Sequence, residues 1–218
     1  MNDISKKIIQ PTEKNFQIAA ECVRNGGVII APSDTNIALT LNPWDDEAIK
    51  RTFEIKNRPA TSPLTLFFYE TNLWVDYATS DDKKSVQLLI NAFWPGPFNI
   101  ILRKKDTVSD ALVCGGDTIA MGCLKNPVWR GFMEKLKMPV AMTSANLSGK
   151  ANGRLVNFDL AVEQVGEKVD YILRGESTGT TISSTIIDLT DEPTILRLGD
   201  ISKKEIEDVI NRECKIGN

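Results

Sequence analysis

Apolar and polar positions along this chain fall into blocks whose period switches repeatedly between that of a helix and that of a strand. From Thr12 to Asn25 the pattern predicts a helix, capped by Thr12 and ended by Gly26-Gly27. Val28 to Ala31 is a short apolar run halted by Pro32, the mark of a buried strand. The polar loop Ser33-Asp34-Thr35 follows, and then a helix opened by Asp45-Asp46-Glu47 with Ala48, Ile49, Phe53 and Ile55 turned inward. That helix is expected to end at Lys56-Asn57-Arg58-Pro59, since a proline steers the residue before it away from helical geometry. Leu64 to Phe68 is the next strand. Strand, polar loop, helix, basic loop and strand together place two loops at one end of a sheet, the end where open α/β sheets bind ligands.

Asp81 to Phe93 reads as a helix with Val86, Leu89, Ile90 and Phe93 along one side, broken by Trp94-Pro95-Gly96-Pro97. Strands are predicted at Phe98 to Leu102, Thr118 to Cys123, Val140 to Thr143, Tyr171 to Leu173, Thr185 to Leu189 and Ile195 to Arg197. Helices are predicted at Asn126 to Leu136, with Pro127 in the first turn, at Asp159 to Val165, and at Ser202 to Asn211. Helices and strands alternate throughout, so the class is α/β with a twisted, mixed β-sheet, and residues 1–218 read as a single domain.

Composition narrows the chemistry. The net charge of −3 argues against a generally basic nucleic-acid coat and leaves a local basic patch open. No apolar run approaches a membrane span, and the N-terminal stretch lacks the apolar core of a signal peptide. Cys22, Cys114, Cys123 and Cys214 are scattered without a CxxC, which points to a reduced, cytoplasmic setting. The chain has no histidine. Ser-His-Asp and Cys-His catalysis are therefore excluded, and no metal site is expected. The scattered Trp44, Trp74, Trp94 and Trp129 are assigned mainly to packing, and Arg103-Lys104-Lys105 to a solvated strand end, with an RNA contact as the lesser alternative.

Four loops carry the remaining chemistry. Lys56 and Arg58, beside Ser62-Pro63, could converge on a phosphate or could simply complement a helix dipole. Thr143-Ser144-Ala145-Asn146-Leu147-Ser148-Gly149, at a strand end, suits phosphate, sugar or base contacts, or is a plain polar turn. Gly179 to Thr185 crowds hydroxyls ahead of a strand, which serves an anion or a flexible connector equally well. Arg197, in Leu196-Arg197-Leu198-Gly199, is a lone arginine at a strand end, where a surface salt bridge is the plain alternative.

Taken in order, PSDT, KNRPATSPL, FWPGPFNIIL, TSANLSG, SSTIID and ILRLG resemble the successive motifs of the YrdC/TsaC family, the threonylcarbamoyl-adenylate synthases, over Phe16 to Ile210. The resemblance implies a YrdC-like fold, a twisted mixed sheet with surrounding helices and a concave, positively lined cavity. It implies condensation of L-threonine, bicarbonate and ATP with release of pyrophosphate, for threonylcarbamoyladenosine (t6A) modification of tRNA. Binding of double-stranded RNA or nucleotides is the family's other association. By motif, Arg58, Ser62, Thr118, Asn146 and Arg197 would touch ATP, and Lys56 would reinforce the cationic wall. Thr35, Ser144 and Ser184 would sit at the threonine or carbamate end. Such a reaction suits a chain without histidine, because it needs alignment and charge neutralisation, with Mg2+ expected to bridge the phosphates.

The chain departs from the family pattern at four places. Asn36-Ile37-Ala38-Leu39 stands where the family has Val-Tyr-Gly-Leu, Phe67 where it has a histidine, and Asn99 where it has threonine. Gly122 occupies the place of an arginine that would pair with the amino-acid carboxylate, and alternation puts Lys125 on the other face. The nucleotide-facing motifs are kept and the threonine-facing ones altered. Three readings follow: a synthase with a rearranged amino-acid pocket, a paralogue that binds a nucleotide or RNA without synthase activity, and an adenylate-forming enzyme for another acid.

Overall fold

The computed structural model describes residues 4–59, 61–151 and 154–217. Ala60 of the basic-loop motif and the first three residues of the N-terminal stretch lie outside them. In chain order the first half contains β1 (Ile8–Ile9), α1 (Glu13–Arg24), β2 (Ile29–Ala31), β3 (Ala38–Leu41), α2 (Asp46–Lys56), β4 (Thr65–Phe68), β5 (Ala78–Thr79), α3 (Lys83–Phe93) and β6 (Phe98–Lys104). The second half contains β7 (Thr118–Cys123), α4 (Pro127–Leu136), β8 (Val140–Ser144), α5 (Phe158–Val165), β9 (Tyr171–Leu173), β10 (Thr185–Asp188), β11 (Thr194–Arg197), α6 (Lys203–Ile210) and β12 (Lys215–Ile216).

Local chemistry sets the helix ends. Thr12, Asp45, Asp82, Asn126, Asn157 and Ser202 each accept a first-turn N–H, satisfying donors that have no partner inside the helix. Helix α2 stops for a reason other than the expected proline. Asn57 takes a left-handed conformation (φ 48°), and the Arg58 N–H folds back onto the Phe53 carbonyl at 2.9 Å.

The strands form one mixed sheet of order β1-β9-β2-β3-β8-β4-β7-β6-β10-β11-β12, with β5 paired to β6. Strand β3 corrects the sequence reading, which left residues 38–41 between the polar loop and α2. It pairs antiparallel with both β2 and β8, so β2 and β4 are separated by two strands rather than joined side by side through α2. Each sheet face has its own apolar layer. Residues of α2, α3, α5 and α6 pack on one face, with Phe68, Ile100, Leu102 and Ile187 beneath them. On the other face α1 and α4 bury Phe16, Trp129 and Phe132 against Ile29, Ala31, Phe67, Val140 and Met142. This second layer draws on β2, β3, β4, β8 and β9 but takes nothing from β6 or β10, so that part of the face stays open.

The minor expectations divide. Trp74, Trp94 and Trp129 are buried, whereas Trp44 is 41% exposed and donates to the Thr107 carbonyl. Arg103 pairs with Asp117 and Asp191, and Lys104 with Asp110, at a solvated strand end, while Lys105 donates to the Val75 carbonyl. The four cysteines are free thiols.

Candidate functional site

The open part of the sheet floors a cavity of about 530 Å³. Register explains its composition. Phe67 on β4 pairs with Gly122 on β7, Gly122 with Asn99 on β6, Asn99 with Ile186 on β10, and Ile186 with Arg197 on β11. These five residues therefore form one row across five strands, facing the same side. Beside them stand Thr65, Ala120, Met142, Ser144 and Ala38, which the same alternation turns to that face.

Among the described residues three arginines line the cavity, Arg58, Arg154 and Arg197, and no carboxylate does. Arg58 spends Nε on the Ser62 carbonyl (2.9 Å) and one terminal nitrogen on the Pro63 carbonyl (3.0 Å). Arg197 spends only Nε, on the Ser184 carbonyl (2.8 Å). The guanidinium of Arg154 has no hydrogen-bond partner among the described residues. Burial pushes the Arg58 pKa down, yet a guanidinium stays charged in proteins. Each arginine thus keeps N–H donors free, and together they present a planar-fork array suited to phosphate or carboxylate.

Lys56 stands behind this wall rather than in it. It is 1% exposed, and its Nζ donates to the backbone carbonyls of Ser144 and Asn146 (2.7 Å to the latter). The Asn146 Oδ1 lies 3.3 Å away and also accepts the Ser144 hydroxyl at 2.6 Å. Lys56 therefore shapes the Ser144–Asn146 turn from below. With no acid beside it, burial and then the neighbouring Arg58 bring its pKa down to about 7.

The first polar loop divides its labour in a way the sequence did not reveal. Asp34 is fully buried and points away from the cavity: its carboxylate accepts the N–H groups of Lys125 and Asn126 at the start of α4, at 3.1 and 2.8 Å. Burial raises its pKa, while those two N–H groups act in the opposite sense. Its carbonyl accepts the hydroxyls of Thr178 and Thr180, tying down the segment that leads into β10. Ser33 and Thr35 line the cavity on either side of it. Asn36, also in the lining, donates to the Ser183 hydroxyl (3.2 Å) and accepts the Val156 N–H (2.8 Å), which links three loops.

The structure thus brings together Thr35, Arg58, Ser144, Asn146, Ser184 and Arg197 from the expected set. It leaves Lys56, Ser62 and Thr118 out of the lining. Ser62 contributes its carbonyl to Arg58. Thr118 shares the face of Ala120 and Gly122 but pairs with Arg103 at the far end of β7. Arg154 was missed, since a lone arginine in a loop carries no periodic signal; Ser33 was noted within the polar loop and Asn36 as a departure, and neither was given a role at the site. The donor set does not fit a protein-held metal: no carboxylate lines the cavity, and no metal-binding cluster of His, Cys, Asp or Glu occurs among the described residues. No helix there is long and apolar enough to cross a membrane.

Comparison with known proteins matches the chain to a family. The family profile for Sua5, YciO and YrdC proteins, described as "Telomere recombination", matches residues 21–199. The threonylcarbamoyl-AMP synthase of Pyrococcus abyssi is 32% identical over 91% of this chain and 58% of its own length. That of Vibrio campbellii is 30% identical over 85% of this chain and 100% of its own. The structure of P. abyssi Sua5 complexed with L-threonine superposes with a TM-score of 0.88 at 31% identity, over 96% of this chain and 62% of that one. E. coli YciO superposes with a TM-score of 0.79 at 28% identity, over 91% and 97%. The chain spans a little over half of the P. abyssi and Bacillus subtilis synthases, 58% and 55% of their lengths.

Proposed function

The chain belongs to the Sua5/YciO/YrdC family, and from that premise we propose that it is a nucleotidyltransferase of the threonylcarbamoyl-adenylate synthase type. It would condense L-threonine, bicarbonate and ATP, release pyrophosphate, and supply the product for t6A modification of tRNA. The observation that supports this most is the cavity itself: three arginines with free donors and no carboxylate. Such a lining is electrostatically complementary to a triphosphate.

In the proposed reaction the threonine amine takes up bicarbonate with loss of water, and a carbamate oxygen attacks the α-phosphorus as pyrophosphate leaves. The ammonium proton of threonine passes to solvent as the carbamate forms, and the carbamate, already anionic, needs no protein base for its attack on phosphorus. Arg58 and Arg197 orient the triphosphate and take up charge that grows on the leaving pyrophosphate. Asn146, locked by Lys56 and Ser144, presents a fixed edge to the nucleotide. Thr35, Ser144 and Ser184 supply hydroxyls toward the carbamate end. Magnesium, where present, would arrive with the nucleotide and further neutralise its phosphates.

The test is pyrophosphate release with ATP, magnesium, bicarbonate and each amino acid in turn. Threonine-dependent release that falls about a hundredfold in Arg58→Ala supports the synthase. A second reading has a specific observation in its favour. Phe67, Gly122 and Asn99 leave their end of the floor without a cation, Arg197 standing two strands away from Asn99, which suits a paralogue that binds a nucleotide or double-stranded RNA and performs no condensation. Nucleotide binding without release for any amino acid would select it.

A further inference from the structure

The three arginines of the cavity are not held alike. Arg58 is braced by the Ser62 and Pro63 carbonyls, and Arg197 by that of Ser184. Arg154 is exposed, and among the described residues no hydrogen bond or ion pair holds its guanidinium, so both edges of the fork stay open. Its main chain is nonetheless anchored. The Arg154 N–H donates to the Ala151 carbonyl at 3.0 Å. Two residues on, the Val156 N–H donates to the Asn36 side chain, and the Val156 carbonyl accepts the Ile37 N–H, both at 2.8 Å. These bonds dock the segment that carries Arg154 against the polar loop of Thr35 and Asn36, which lines the same cavity.

We infer that Arg154 binds the α-carboxylate of the amino-acid substrate. This rests on the synthase reading. Amino acid and ATP bring two separate anions into one cavity, and like charges confined there repel unless each meets its own cation. Arg58 and Arg197 are taken by the triphosphate. Lys56 is sealed beneath the Ser144–Asn146 turn, with its donors on carbonyls. Gly122 has no room for a charged side chain, since a Cβ there would stand 2.6 Å from both the Asn99 Oδ1 and the Phe67 Cε1. Arg154 is the cation that remains. Its open fork matches the two oxygens of a carboxylate, and binding one breaks no existing hydrogen bond of the guanidinium. Its position fits as well. The carbamate nitrogen and the carboxylate share the α-carbon, so with the carbamate toward Thr35 the carboxylate lies near the segment docked on that loop.

Either partner of this contact can be removed alone. Threoninamide keeps the amine and hydroxyl of threonine and lacks the carboxylate. Pyrophosphate release is measured with both compounds for the wild type, Arg154→Ala and Arg154→Lys, with melting curves to show that each variant is folded. The two amines differ in basicity, but that difference is common to every variant and cancels when ratios are compared. The threonine-to-threoninamide ratio of kcat/KM is expected to fall about thirtyfold in Arg154→Ala, the worth of a charge-assisted pair. KM for ATP should stay within about threefold of the wild type, since the phosphates keep Arg58 and Arg197. Arg154→Lys, which keeps the charge without the fork, should recover part of the ratio. A ratio unchanged in Arg154→Ala overturns the assignment and leaves the synthase reading intact. So does a rise in KM for ATP larger than that for threonine, which would give the guanidinium to the phosphates. Absence of release with threonine in the wild type overturns both, and ATP-induced stabilisation in the same samples shows that the nucleotide site is nonetheless formed.

Discussion

Replacing Lys56 by methionine would test whether a buried ammonium without a counter-ion underlies the Ser144–Asn146 turn. Methionine keeps the length and apolar stem but neither the charge nor the donors. Two opposing quantities follow from the structure. Loss of the donors strands the Ser144 and Asn146 carbonyls, each at about 1–3 kcal/mol. Loss of the charge removes the cost of burying it. A pKa held at about 7 against an ordinary 10.5 puts that cost at roughly 5 kcal/mol, at ~1.4 kcal/mol per pH unit.

The two terms separate with pH. Below about pH 7 Lys56 is protonated in both folded and unfolded chains, and the full charge penalty is present. Between about 7 and 10.5 the unfolded chain holds a proton that the folded chain has lost, so unfolding takes up a proton and stability rises with pH. Urea unfolding of the wild type and Lys56→Met at pH 6, 7, 8 and 9 isolates this residue, because every other group titrates in both. At pH 6 the two proteins should lie close together or the variant should be more stable. From pH 7 to pH 9 the wild type should gain about 2–3 kcal/mol on the variant. A stability difference that stays flat from pH 6 to 9 would refute the reasoning.

Three further substitutions probe the surroundings. Gly199→Ala places a Cβ 2.5 Å from the Ser183 carbonyl oxygen and the Thr185 nitrogen, both backbone, so it should cost about 1–3 kcal/mol in urea unfolding and weaken nucleotide binding by displacing Ser184 and Arg197. Asp34→Ala leaves the Lys125 and Asn126 N–H groups without their acceptor and should lower stability by about 2–4 kcal/mol, with Asp34→Asn losing less because it retains one acceptor. Gly122→Arg should lower the melting temperature and leave threonine use unimproved, since Phe67 and Asn99 occupy its space; pairing it with Phe67→Ala should recover more stability than the two single effects add to.

What the sequence made legible was what local chemistry decides. The helix starts at Thr12, Asp45, Asn126 and Ser202 read correctly because the chemistry that sets each acts on N–H groups within its own first turn. Strand β7 and helix α4 read correctly because each is long enough to show its period. Strand β3 did not, since all four of its residues are buried, which removes the alternation that betrays a half-exposed strand. β1, β5 and β12, at two residues each, are too short to have a period. At the site, the hydroxyl loops and Arg58 and Arg197 were visible as types at strand and helix ends. Burial was not: nothing local distinguishes Lys56, sealed under a turn, from Arg58 two residues on and facing the cavity. Asn99 was visible only as a departure, and its meaning came from the register that sets it beside Gly122 and Phe67.

Lys56 and the arginine wall also bear on each other through charge. Arg58 is one of the two causes that hold the Lys56 pKa down, and no carboxylate lines the cavity to offset either cation. A bound polyanion would supply that missing charge, neutralising Arg58 and attracting the Lys56 proton, so the lysine pKa should climb back from about 7 toward its ordinary range. At pH 8 the free protein holds Lys56 mostly neutral, and ATP binding should then draw in a proton, by up to about one per site. Calorimetric titration with ATP in buffers of different ionisation enthalpy measures this directly. The apparent heat should vary linearly with buffer enthalpy, with a slope that reports the uptake, shrinks toward pH 6, and vanishes in Lys56→Met. A heat independent of buffer at pH 8 would show that Lys56 and the ligand do not share a field, and the turn beneath the cavity would then be scaffolding alone.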